Sequence, residues 1–104
     1  MKEEVRRKLP RTGSGLVRVV GARVVLDGVD DTRRMCAWIC ERAKAEGVQG
    51  TVTSSGHTVQ AWFEGPPVTV DGMVSWCAQI VEKSEGTVNV THDRATACAG
   101  FEHL

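Results

Sequence analysis

Apolar positions along this chain change period twice, and each change marks an element. From Leu16 to Leu26 the chain is rich in Val, interrupted by Gly21. That pattern predicts a long or bulged strand, with Val24 and Leu26 facing a core while Arg23 and Asp27 point out. From Thr32 to Glu46 apolar residues recur at three and four, through Met35, Trp38, Ile39 and Ala43, which predicts a helix with one buried face. Asp30 or Asp31 suits its N-cap, and Gly47 closes it with a left-handed cap. Two short strands are expected near Val48–Ser54 and Thr58–Glu64, joined by the hairpin signal Ser54-Ser55-Gly56-His57. In the second, Val59, Ala61 and Phe63 share one face, and Gln60, Trp62 and Glu64 the other. Gly65-Pro66-Pro67 ends it. A second helix is expected over roughly Thr69 to Lys83, with Val70, Met73, Val74, Cys77, Ile80 and Val81 on one side. Asp71 falls in its first turn, where a carboxylate suits the helix dipole. Gly86 opens two last extended pieces, Thr87–Thr91 and Ala95–Phe101, whose alternation is weak.

The order is β-α-β-β-α-β with a short extra strand, a split βαβ arrangement. Its compact solution is an α+β, ferredoxin-like sandwich: an antiparallel sheet of four to five strands with two helices packed on one face. Residues 1–15 stand apart, charged at first and then broken by Pro10, Gly13, Ser14 and Gly15. They read as a flexible N-terminal arm before a domain spanning residues 16–104.

Composition narrows the function classes. With 104 residues there is room for one real core and not for two. Thirteen Lys and Arg balance thirteen Asp and Glu, so no general basic field exists to hold nucleic acid or an anionic membrane. Arg33-Arg34 and Arg6-Arg7-Lys8 are the basic clusters, and the latter reads as a solvated segment. No stretch approaches the ~20 apolar residues that span a bilayer, and no apolar run follows Met1-Lys2-Glu3-Glu4 to make a secretory signal. Cys36, Cys40, Cys77 and Cys98 fall on expected helices and strands, and read as reduced core thiols of a cytoplasmic protein.

The stretch Leu26 to Cys36 is where chemistry is expected. A strand-loop-helix junction can hold an anion, because helix-starting N–H groups point outward with partial positive charge. This one carries Asp30-Asp31 and then Arg33-Arg34. Over roughly residues 17 to 101 the chain resembles the acylphosphatase family, whose usual line is an apolar strand ending in Gly, a loop of the type G-R-V-Q-G-V-x-F-R, a helix ending A-x-x-x-G, and a strand-hairpin-strand. The resemblance is carried by Val24-Val25-Leu26-Asp27-Gly28, by Ala43-Lys44-Ala45-Glu46-Gly47-Val48-Gln49-Gly50 and by Val59-Gln60-Ala61-Trp62-Phe63-Glu64-Gly65-Pro66. No gap is needed between Gly28 and Gly50.

The resemblance implies hydrolysis of the carboxyl-phosphate bond in acyl phosphates, without a metal or other cofactor. The loop and its Arg would bind the phosphate and an Asn on the next strand would orient the attacking water, a strategy of positioning and electrostatics. It implies a small acyl phosphate or inorganic phosphate as ligand, no nucleic acid, no membrane, and a monomer. Counted from Gly28, however, the loop Arg falls on Cys36 and the Gln-Gly pair on Asp31-Thr32. The water-orienting Asn falls on Ser54, or on Thr53 if the turn is shortened. Cys36 and Ser54 are thus the positional equivalents of catalytic residues whose identities are not retained. Thr32, Arg33 and Arg34 are the phosphate-binding candidates, the arginines as replacements one helical turn or less from the missing one. The implied activity is weak or altered, and the alternative is a non-catalytic acylphosphatase-like module that binds through the sheet edge or the junction of the first strand and the first helix.

Other constellations carry less. Met35-Cys36-Ala37-Trp38-Ile39-Cys40 sits where ferredoxin-like copper chaperones carry M-x-C-x-x-C, and soft thiolates select copper(I). The spacing differs, so no metal site is assigned and the thiols read as core. Cys36 near the helix start could have a lowered pKa, but no partner base accompanies it. His57, His92 and His103 show no metal spacing; His57 borders the junction from the hairpin turn. Trp38, Trp62 and Trp76 read as core or sheet packing, with Trp62 on an outer face as a partner surface if its strand is an edge.

Overall fold

The computed structural model describes residues 18–104. The arm expected over residues 1–15, and Leu16 and Val17 of the expected first strand, lie outside the described residues. The elements are β1 (Val20–Asp27), α1 (Thr32–Glu46), β2 (Gln49–Ser55), β3 (Thr58–Gly65), α2 (Pro67–Lys83), β4 (Thr87–Arg94) and β5 (Phe101–His103). They build a five-stranded sheet in the order β4-β1-β3-β2-β5. Both helices cover one face, so the α+β ferredoxin-like architecture is as expected. β1 pairs antiparallel with β3 and β4, and β3 with β2.

Alternation sets the core. Ala22, Val24 and Leu26 of β1 and Val59, Ala61 and Phe63 of β3 are buried beneath the helices. Arg23 and Asp27 point to solvent as expected. β1 is not bulged: its register with both neighbours runs unbroken through Gly21. The indole of Trp62 lies where a side chain at Gly21 would stand.

α1 begins and ends as expected, with an Asp31 N-cap and a left-handed Gly47 (φ 74°) whose N–H closes on Ala43 and Lys44. Its buried face is Met35, Cys36, Ile39 and Ala43. Trp38 is not in the core but 43% exposed, because Cys36, about half a turn away round the axis, takes the inward place. α2 starts two residues before the expected Thr69. The prolines that stop β3 also start the helix, Pro66 at its N-cap and Pro67 at the first position, where a fixed φ and a missing N–H cost nothing. Asp71 therefore lies beyond the first turn, which holds no acidic residue. Val70, Met73, Cys77 and Val81 are buried, with Val74 and Ile80 packed at the margin.

The C-terminal region departs most from expectation. β4 continues to Arg94, residues 95–100 form a loop, and β5 is a three-residue strand beside β2 and parallel to it. β4 and β5 lie at opposite edges, so the 95–100 loop crosses the end of the sheet between them. Phe101 then stacks on Phe63, centroids 5.9 Å apart.

Candidate functional site

The β1–α1 junction is stitched to the β2–β3 turn. Val29, buried, donates its N–H to the His57 carbonyl at 2.9 Å. The His57 ring returns the bond, with Nδ1 at 3.1 Å from the Val29 carbonyl; a carbonyl can only accept, so Nδ1 carries the proton here. Thr58 Oγ1 donates to Asp27 Oδ1 at 2.6 Å. One backbone donor of the loop is thereby spent inside the protein. His57 is an exposed turn residue that borders the junction as expected, and it also fixes the loop.

The helix start is also occupied. Asp31 Oδ1 accepts from the Arg34 N–H at 3.0 Å, and the Asp31 carbonyl accepts from the Met35 N–H at 3.0 Å. A carboxylate thus already sits on one of the donors that an anion would use. A phosphate brought beside it would meet like charge, a repulsion of ~4 kcal/mol at 4 Å and an effective dielectric of 20. Replacing Asp31 with Ala is expected to cost about 1 kcal/mol of stability in urea unfolding, as for an ordinary N-cap.

Arg33 is exposed, and the Arg34 guanidinium stands 5.3 Å from the centroid of the Trp38 ring. Arg34, Asp30, Asp31, Trp38 and Lys83 border a cavity of about 310 Å³ between the start of α1 and the end of α2. Thr32 is half-buried in the first turn.

Cys36 and Ser54, distant in sequence, are brought together. Ser54 shares the helix-facing side of β2 with Val52, whereas Thr53 pairs with Gln60 on the open face; only Ser54 can meet α1. Cys36 is fully buried. Burial pushes its thiol up, the hydrogen bond with Ser54 opposes that, and the neighbouring Cys40 pushes it further up. The thiol is therefore less acidic than usual, the reverse of what a place near the helix start suggests, and it is no activated nucleophile. Burial also raises the Cys77 thiol, to about 12. All four cysteines are free. Among the described residues no group of three or more His, Cys, Asp or Glu gathers that could hold a metal ion.

Sequence reasoning missed Glu64. It lies on the open face of β3 yet is 2% exposed, because the 95–100 loop folds over it. Its carboxylate accepts from Trp62 Nε1, from the Thr96 N–H and hydroxyl, and from the Cys98 N–H. Trp62 is half-buried beneath Arg23, 5.4 Å from its ring. β3 is an inner strand, so Trp62 is no edge tryptophan.

No family model matches the sequence, and no curated protein is significantly similar to it. Solved structures do match the fold. An acylphosphatase from Coxiella burnetii superposes with a TM-score of 0.70 at 15% identity, over 83% of this chain and 93% of that one. The acylphosphatase from Bacillus subtilis does so with 0.67 at 18% identity, over 82% and 98%. The fold is that of the acylphosphatases. Full-length HypF, in a phosphate- and nucleotide-bound form, matches with a TM-score of 0.65 at 13% identity; 84% of this chain corresponds to 12% of HypF. The resemblance assigns the loop Arg to Cys36 and the water-orienting Asn to Ser54. These positions carry a buried thiol and a hydroxyl. No helix of the described residues is long and apolar enough to cross a membrane.

Proposed function

We propose that this chain is a non-catalytic binding module on the acylphosphatase fold, working in the cytoplasm, where its free thiols stay reduced. The observation that carries this reading is the Asp31 carboxylate on the Arg34 N–H, which takes a helix-start donor that a phosphate would use. Val29 spends a second donor on His57, and Arg34 is stacked on Trp38. Donors that phosphoryl transfer would use for electrostatic positioning are thus engaged within the protein.

A second reading keeps the enzyme: a hydrolase of the carboxyl-phosphate bond in acyl phosphates, with weak or altered activity. It draws on the near-complete coverage of two acylphosphatases and on exposed Arg33, two residues beyond the cap. Phosphate release from benzoyl phosphate separates the two. The binding-module reading expects the rate of the buffer blank, unchanged by Arg33→Ala combined with Arg34→Ala. A rate above the blank that falls ~10²-fold or more in the double variant would establish the hydrolase.

A further inference from the structure

The two edges of the sheet are finished differently. β5 closes one edge with three residues. β4 leaves the other with eight, all exposed but for half-buried Val88. It pairs with β1 without interruption from Thr87↔Asp27 to Arg94↔Val20. It holds no Pro and no Lys, its charged residues Asp93 and Arg94 lie at one end, and no described element pairs with its outer side. Proteins normally blunt so long and regular an edge with bulges, Pro or Lys, since its free N–H and C=O groups template another strand. Val90, 37% exposed at mid-strand, is one of few large apolar side chains left uncovered.

We propose that this edge is a homodimer interface, in which β4 pairs antiparallel with β4 of a second copy to make one continuous sheet, in place of the monomer suggested by sequence. Symmetry restricts the register. A two-fold axis normal to the sheet keeps each side chain on its face, so opposed residue numbers must sum to an even number. Centred on Val90, the strands overlap along nearly their whole length, and the side chains complement one another. Val90 meets the partner's Val90 on the helix-facing side, flanked by Val88 against the partner's His92. On the open face Asn89 meets the partner's Thr91, and Thr87 meets the partner's Asp93. No like charges are opposed. Cross-strand pairs of these kinds are the unit of sheet stabilisation.

The inference rests on the binding-module reading only in taking the edge as the working surface; phosphate release tests that reading separately. Sedimentation equilibrium of the full chain, from roughly 10 μM to 1 mM, reads the association directly. The expected result is a mass rising from one chain to two. Thr87→Lys places a cation opposite the partner's Asp93 and is expected to tighten the dimer about fivefold; Thr87→Asp opposes two carboxylates and is expected to loosen it by a similar factor, each change entering the interface twice. Thr87 is exposed at the strand end, so neither variant disturbs the core. A single-chain mass throughout the range, or both variants shifting association the same way, would overturn the proposal.

Discussion

A Glu64→Ala variant is expected to lose about 3–5 kcal/mol of stability in urea unfolding at neutral pH, since several hydrogen bonds to one buried carboxylate are lost together and their donors left unpaired. The reason lies in the path of the chain. To pass from β4 at one edge to β5 at the other, the 95–100 loop must cross the end of the sheet, and Glu64 holds it there. The Thr96 and Cys98 N–H groups converge on the carboxylate from either side of Ala97, which sits at φ 63°. That is the geometry of a backbone nest closed on an internal anion, and it holds a non-glycine residue in a conformation that costs about 1–3 kcal/mol by itself. Without the carboxylate the donors are left unpaired and β5 loses its tether, so hydrogen-exchange protection should fall first at β5. Unchanged protection there would contradict this account.

The same group gives the fold a defined acid sensitivity. Burial pushes the Glu64 carboxyl up, but hydrogen bonds from Thr96, Cys98 and Trp62 outweigh it and leave it at about 2, against an ordinary 4.5. Between those values the unfolded chain binds a proton that the folded chain does not. This contribution is complete above about 4.5 and is lost as the pH falls toward 2. Glu64→Ala should therefore show a shallower loss of stability across that window than the wild type.

Gly50→Ala is expected to be as damaging, at least about 4 kcal/mol, or a fall in Tm of roughly 20 °C. Gly50, next to the start of β2, sits at φ 140°, and a Cβ there would collide with the carbonyl oxygen of Trp62 and come within 2.7 Å of its carbon. Its N–H also donates to the Gly100 carbonyl at 2.9 Å. The strain thus falls where β3, β2 and β5 meet. No flexible side chain is there to yield, only backbone. A Tm within a few degrees of wild type would mean that β2 and β3 can separate at this point.

Most of the fold was legible because its elements carry periods and punctuation. Met35, Ile39 and Ala43 marked α1, Asp31 and Gly47 its ends, and Val59, Ala61 and Phe63 the buried face of β3. β5 was illegible because three residues have no period, and its parallel pairing depends on a loop held by a distant carboxylate. Glu64 itself obeyed the alternation as an outward position; its burial comes from the tertiary path of residues 95–100. At the junction, the capping role of Asp31 could be read from its place before a helical run. The direction of Arg34 could not, since it follows from Cys36 taking the inward place and leaving Trp38 outside.

In the proposed reading the β1–α1 junction holds its own carboxylate in place of a phosphate. An amide-shift titration of the wild-type chain with inorganic phosphate is the direct test. No saturable shifts are expected at residues 29–36. Saturable shifts concentrated there would mean that the junction accepts phosphate despite Asp31, and would contradict it.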